Sequence, residues 1–230
     1  MIPIRDVNPS RSFPIMTIGL IVINVLIFLF EVSAGGNLEF LFNKYALIPD
    51  KYFSLVAKGG FNYIQRFSPF ITSQFLHGGW LHVIGNMWFL WIFGDNIEDR
   101  LGHFKFILFY LLCGVAAGLA HVYTNSSSAV PTVGASGAIA GVMGAYTILY
   151  PRAKVLTLFI FFFFIRFIEV PAFLFLGVWF SIQFISGAVT MASSSSDAGI
   201  AWFAHIGGFV VGIILILLLP KRRDRSTIYK

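Results

Sequence analysis

The sequence predicts an all-α polytopic membrane protein, with six transmembrane helices in one bundle and a long first outer loop partly embedded in the membrane. Three observations carry this. Of 230 residues, 57% are hydrophobic and only 11% charged, against roughly 25% charged in a soluble domain. Apolar runs of about the 20 residues that cross a bilayer recur along the chain. The basic residues gather at the ends of those runs, as membrane orientation requires, and this excludes the nucleic-acid partner that a net charge of +6 would otherwise suggest. The 27 phenylalanines suit a lipid-facing surface. The single cysteine, Cys113, cannot close an intramolecular disulfide and says nothing about redox compartment.

Residues 1–13 form a short polar, basic leader, read as cytoplasmic. Residues 14–33 are the first span, closed by Gly35-Gly36. Arg5 and Arg11 precede it, but no convincing cleavage site follows, so it reads as a retained helix and not a signal peptide. Residues 37–79 are mixed and aromatic-rich, carry Lys44, Asp50, Lys51, Lys58 and Arg66, and are broken by Pro49, Gly59-Gly60 and Pro69. This stretch is too polar to span and is predicted to fold at the membrane interface, where tyrosine and phenylalanine are at home. The second span, 80–94, ends in the charged cap Gly94-Asp95-Asn96-Ile97-Glu98-Asp99-Arg100; the third, 104–123, runs into a serine-rich loop. The fourth, 135–150, begins near Ser136 and stops at Pro151-Arg152-Ala153-Lys154.

The next apolar stretch, 155–189, is too long for one helix and holds Arg166 and Glu169 in its middle. An isolated charge at the membrane centre costs at least ~2.5 kcal/mol. Putting 155–167 at the interface and starting span five (170–190) near Pro171 removes that cost, and proline suits a first helical position. A functional ion pair inside the membrane is the alternative. A second serine-rich loop follows, then span six (199–219) and a basic tail (220–230) with Lys221-Arg222-Arg223-Asp224-Arg225. Six spans put both termini on one side. With that side cytoplasmic, twelve Lys and Arg lie inside, against four outside (Lys44, Lys51, Lys58 and Arg66), which satisfies the positive-inside rule.

This topology brings polar residues to one depth. Ser136 lies between Gly134 and Gly137 at the outer end of span four. Bare backbone there lets other groups approach the hydroxyl, and a helix start offers N–H groups to an anion. The same small-residue pattern is also how membrane helices pack. Span six runs inward, so His205 is about six residues in, roughly 9 Å deep. His82 and Asn86, four residues apart, share one face of the outer turns of span two. Buried polar groups are costly in lipid, and four at one depth on converging helices point to function. A nucleophilic hydroxyl needs a base and donors for an oxyanion. His205 fits the base, and Asn86, His82 and the Ser136 backbone N–H fit the donors. Gly137, Gly141 and Gly144 on span four and Gly208 and Gly212 on span six would let the two helices touch backbone to backbone, joining Ser136 to His205. No acid lies mid-span to make a third member; Asp197, on the outer side, reads as a solvated loop residue.

Gly134-Ala135-Ser136-Gly137, the run from His77-Gly78-Gly79-Trp80 through His82 to Asn86, and Ala204-His205-Ile206-Gly207-Gly208 with Gly212 together resemble the rhomboid intramembrane serine proteases. The resemblance covers about residues 67–219; no single motif is specific, but three in order are. It implies a six-helix core with Ser136 as nucleophile, His205 as general base, Asn86 and His82 as oxyanion residues, and a structural role for His77. It also implies single-span transmembrane protein substrates, cut near their outer ends, with no cofactor and no metal. Two positions depart from the family pattern. Ser68-Pro69 stand where many members carry Trp-Arg, which puts the loop anchoring in question. Ala140 stands where many carry a tyrosine stacked on the histidine, which leaves open what holds the His205 ring.

Span five, with Phe173, Phe175, Trp179 and Phe180, is a plausible lateral gate, although lipid-facing bulk explains it equally well. Two rivals remain at this stage. A non-proteolytic rhomboid-like escort would usually lack the serine or histidine kept here. A small transporter would put acids or a broken helix at the midplane. Asn125-Ser126-Ser127 matches a glycosylation sequon, a triplet common by chance. The short leader without an added domain points to a bacterial inner membrane.

Overall fold

A computed structural model describes residues 2–57, 62–161, 164–193 and 201–219. The chain is mostly helical, and its helices are α1 (Ile15–Ala34), α2 (Leu38–Tyr45), α3 (Pro49–Ala57), α4 (Tyr63–Phe67), α5 (Pro69–Thr72), α6 (Trp80–Leu101), α7 (His103–Thr124), α8 (Ser136–Leu149), α9 (Ala172–Ser193) and α10 (Trp202–Leu218). The helical run Ile15–Tyr45, and the helices His103–Thr124 and Ala172–Val189, are long and apolar enough to cross a membrane; Ser136–Leu149 and Trp202–Leu218 are apolar but shorter. Lys58, Gly59-Gly60, Asp197, the start of span six at Gly199 and the basic tail from Lys221 lie outside the described residues.

The core is built around α8. Every residue from Gly137 to Tyr146 is buried, because glycine and alanine let neighbours approach from all sides. A Cβ at Gly208 would meet the Gly137 carbonyl oxygen at 2.0 Å, one at Gly212 the Gly141 oxygen at 2.1 Å, and one at Gly144 the Phe209 oxygen at 2.2 Å. The backbones of α8 and α10 therefore touch, as the glycine spacing predicts. On its other side, α8 meets α7, where a Cβ at Gly137 would be 2.5 Å from that of Ala117 and one at Gly141 2.4 Å from that of Cys113. The outward face of α1 presents Val22, Leu26, Leu29 and Phe30, all exposed; an apolar surface of this kind suits lipid.

The buried face of α1 is Thr17, Leu20, Asn24, Phe28 and Glu31, and it carries polar groups at a seven-residue interval. Pro14 offers no side-chain cap to this helix. The Glu98 carboxylate of α6 supplies one, accepting from the N–H groups of Met16 (2.9 Å) and Thr17 (2.8 Å) and from the Thr17 hydroxyl (2.7 Å). A carboxylate at a helix N-terminus satisfies orphan donors and complements the helix dipole. The charged segment after span two, read as a cap beyond the helix, is instead the last turns of α6, turned inward to make this contact.

The all-α expectation needs correction. β1 (Ile2–Asp6), β2 (Lys154–Phe161) and β3 (Phe164–Pro171) form an antiparallel sheet in that order. The polar leader is therefore an edge strand, and the stretch set apart from span five is a hairpin. β-Branched and aromatic residues such as Val155, Thr157, Phe159 and Ile160 favour a pleated strand over a helix. Arg166 pairs in register with Phe159 and Glu169 with Leu156. Glu169 accepts from Lys154 Nζ at 2.6 Å on the exposed surface of the sheet. Three residues apart on a strand, Arg166 and Glu169 face opposite sides of the sheet, and Glu169 is paired with Lys154 instead; helix α9 begins one residue after Pro171.

Between α1 and α6, the long first loop packs as short helices against α7. The Gln74 side chain lies over Gly114, where a Cβ would come within 2.2 Å of it, and donates to the carbonyls of Phe70 (2.8 Å) and Leu111 (3.3 Å). Thr72 Oγ1 donates to the Tyr45 carbonyl at 2.6 Å, and Gly134 N–H to the Ser73 carbonyl at 2.9 Å. These contacts anchor the loop in a chain that has Ser68-Pro69 in place of Trp-Arg.

Candidate active site

Ser136 is the first residue of α8, and His205 lies in the first turn of α10. The backbone contact between these helices sets their side chains together: His205 Nε2 is 2.8 Å from Ser136 Oγ. The other ring nitrogen, Nδ1, is 2.7 Å from Gln183 Oε1 of α9. Trp179, one turn before Gln183, lies with its ring centroid 5.9 Å from that of His205, and Trp202 stands edge-on at 6.5 Å. Ala140, fully buried, leaves the ring to be held by α9 and by the start of α10.

Gly134 connects this pair to α6. Its φ of 127° favours glycine. A Cβ there would fall 2.7 Å from His82 Nε2 and 3.5 Å from Asn86 Nδ2. Both α6 side chains therefore border the segment that leads into Ser136. The Nδ1 atom of His82 accepts from Gly78 N–H at 3.4 Å, which leaves the proton on Nε2, the atom facing Gly134. Asn86 is buried, and its Nδ2 has no protein partner. An orphaned buried amide donor is expensive, and a ligand oxygen would satisfy it. All four residues singled out from sequence thus converge, with Ser136 bonded to His205, and His82 and Asn86 gathered about Gly134.

His77 lies in the loop before α6, almost fully buried. Its backbone N–H donates to both Glu31 carboxylate oxygens, at 3.2 and 3.1 Å, and its ring stands edge-on to His82 with centroids 5.2 Å apart. Burial, aided by repulsion from a charged His82, pushes its pKa down to about 4, so at neutral pH it is an uncharged packing group behind His82. On the other side, the His121 ring shares a hydrogen bond of 2.8 Å with Thr132 Oγ1. Thr132 also exchanges backbone hydrogen bonds with Leu47. Together they fix the segment that enters Ser136. Gln183, Glu31, Glu98 and His121 were not apparent from sequence. Gln183 had one available signal: it lies four residues after Trp179, on the same face of α9. Among the described residues, no group of three or more His, Cys, Asp or Glu could hold a metal ion.

The fold and this site define a helical membrane protein with a serine and a histidine joined inside a glycine-packed bundle. A family model for the rhomboid domain matches residues 65–222. The chain belongs to the rhomboid family, whose members are in general intramembrane serine proteases acting on transmembrane substrates. It is 31% identical over 156 residues to Rhomboid-like protein 11, chloroplastic, of Arabidopsis thaliana, covering 66% of this chain and 52% of that protein. It is 29% identical over 174 residues to Rhomboid protein 1, mitochondrial, of Saccharomyces cerevisiae, covering 72% and 45%. To RHOMBOID-like protein 12, mitochondrial, of Arabidopsis thaliana it is 29% identical over 227 residues, covering 91% and 60%. The chain thus spans about half the length of these relatives. Their names are organellar, so the expectation of a bacterial membrane gains no support from them.

Proposed function

We propose that this chain is an intramembrane serine endopeptidase that hydrolyses peptide bonds of single-span transmembrane substrates near their outer ends. The observation that carries this reading is the 2.8 Å contact between His205 Nε2 and Ser136 Oγ, which lies within the reach a general base needs. His205 accepts the Ser136 proton as the hydroxyl attacks the scissile carbonyl, and the histidine then returns it to the leaving amine. The developing oxyanion takes hydrogen bonds from the unpaired Asn86 Nδ2, from His82 Nε2–H and from the free N–H groups at the start of α8. Water releases the acyl-enzyme. The exposed apolar residues Phe173, Ile182 and Phe184 of α9 are consistent with a lateral path for a substrate helix past this element.

In this reading residues 14–219 form one six-span unit, with both termini on the cytoplasmic side, the leader 1–13 and tail 220–230 flanking it, and Ser136 toward the outer side. The length of α8 supports a recessed site: 14 residues rise about 21 Å, less than the ~30 Å hydrocarbon core. A carboxylate-lined transporter finds no support among the described residues, where the charged groups that bear on His205 are His82 and His121.

The test is to label the detergent-purified protein with a fluorophosphonate, alongside Ser136→Ala and His205→Ala. Wild type is expected to label and both variants to lose labelling. A silent wild type, or equal labelling of Ser136→Ala, would sink the reading.

A further inference from the structure

A buried amide in a membrane helix is ordinarily satisfied by the backbone of its own helix. Asn24 of α1 behaves in this way, donating to the Leu20 carbonyl at 2.7 Å. Gln183 does not. It is only 7% exposed, and its Oε1 reaches out of α9 to the Nδ1 of His205 on α10, at 2.7 Å. The opposite ring nitrogen of that histidine meets Ser136. The family's stacking tyrosine is absent at Ala140, and among the described residues the charged groups that bear on His205 are His82 from α6 and His121 from α7, with no carboxylate.

We propose that Gln183 is the positioning residue of the Ser136–His205 pair, holding the proton of neutral His205 on Nδ1 and the lone pair on Nε2. This rests on the protease reading above. An amide oxygen can only accept, so the hydrogen between it and Nδ1 belongs to the imidazole. Nε2 is then left unprotonated and aimed at the Ser136 hydroxyl, the state a general base requires. A turned amide would offer N–H to Nδ1, move the ring proton to Nε2 and leave no lone pair for the serine. Trp179, one helical turn away on the same face and 5.9 Å from the ring, limits rotation of the imidazole. Gln183 and Trp179 thus do from α9 what an acid and a stacked tyrosine would do elsewhere. As imidazolium forms, the same amide oxygen keeps its hydrogen bond and stabilises the charge.

The experiment uses the full chain in detergent, labelled with ¹⁵N-histidine, and reads the tautomer of His205, whose signals are those lost in His205→Ala. Wild type is expected to show Nδ1–H, and Gln183→Leu to lose that preference. The fluorophosphonate labelling rate of Gln183→Leu should fall roughly 10- to 100-fold, part of the ~10²–10⁴ that a general base supplies. Gln183→Glu keeps an acceptor oxygen and should restore labelling, with the acid limb of its pH profile moved to higher pH because a carboxylate stabilises imidazolium. Nε2–H in wild type, or Gln183→Leu labelling at the wild-type rate with an unmoved profile, would overturn the proposal. A wild type that shows Nδ1–H but does not label would refute the protease reading and leave the Gln183 hydrogen bond standing.

Discussion

At the scale of single residues, the site combines one satisfied pair with one unsatisfied donor. Ser136 and His205 are bonded to each other, whereas Asn86 Nδ2 is buried with no protein partner. In the proposed reaction, that donor would meet the charge that develops on the substrate oxygen. Asn86→Ala should therefore lower kcat by about 10²–10³-fold, the usual loss for one oxyanion donor, with KM and thermal stability little changed. Kinetics on a transmembrane substrate read this directly, and an unaltered kcat would remove Asn86 from the reaction. These residues were legible in the sequence because glycines flank Ser136 and because His82, Asn86 and His205 interrupt otherwise apolar helices at one depth. Gln183 was not. An amide in a helix has several ordinary ways to be satisfied, and only the approach of α9 to α10 decides which it takes. Glu31 escaped notice for a related reason: its partner is a backbone N–H, that of His77, which leaves no trace in a residue pattern.

At the scale of elements, glycine sets how closely α8 and α10 approach, and that approach sets the Ser136–His205 distance. Not every glycine matters equally. A Cβ at Gly212 would meet a backbone oxygen at 2.1 Å, while Gly19 and Gly177 have nothing within 4 Å. Backbone cannot rotate aside as a side chain can. Gly212→Ala should cost about 1–3 kcal/mol, the range for overpacking, and should also slow labelling of Ser136 by parting the helices. Gly19→Ala and Gly177→Ala should hold or raise stability, by up to ~1 kcal/mol from helix propensity. Thermal unfolding of the three variants in one detergent checks this; equal losses at Gly212 and Gly177 would show that packing against α8 is not the cause. The apolar helices α1, α7, α8, α9 and α10 were readable from apolar run length, and the charged last turns of α6 were not. The β2–β3 hairpin was not, because a continuous apolar run such as 155–165 carries no period that separates strand from helix. The charges Arg166 and Glu169 showed only that a plain span was wrong there.

At the scale of the whole molecule, the leader ties the far end of α8 into the bundle. The Tyr146 hydroxyl donates to Asp6 Oδ2 of β1 at 2.6 Å, and Trp88 Nε1 donates to the Pro3 carbonyl at 2.7 Å. Ser12 bonds Asp99 of α6 through both its N–H and its hydroxyl. Tyr146 lies about 15 Å along α8 from Ser136, so the chain end and the site hold opposite ends of one central helix. Burial pushes the Asp6 carboxyl from 3.8 up to about 6, against a smaller lowering by the Tyr146 hydrogen bond. The folded state therefore binds this proton more tightly than the unfolded chain does. Between about pH 4 and 6 the native protein holds the proton and the unfolded one does not, so the contribution of Asp6 to stability declines as pH rises through this window, and is smallest above it. Asp6→Asn keeps an acceptor for Tyr146 and removes the charge. Its melting temperature should match wild type near pH 4 and exceed it above pH 6, with a flatter profile between. Parallel wild-type and variant profiles across pH 4 to 8 would mean that Asp6 ionises as freely in the fold as outside it. The bond from Trp88 to the Pro3 carbonyl would then still hold the sheet to α6, and the end of α8 would owe nothing to the charge state of this carboxyl.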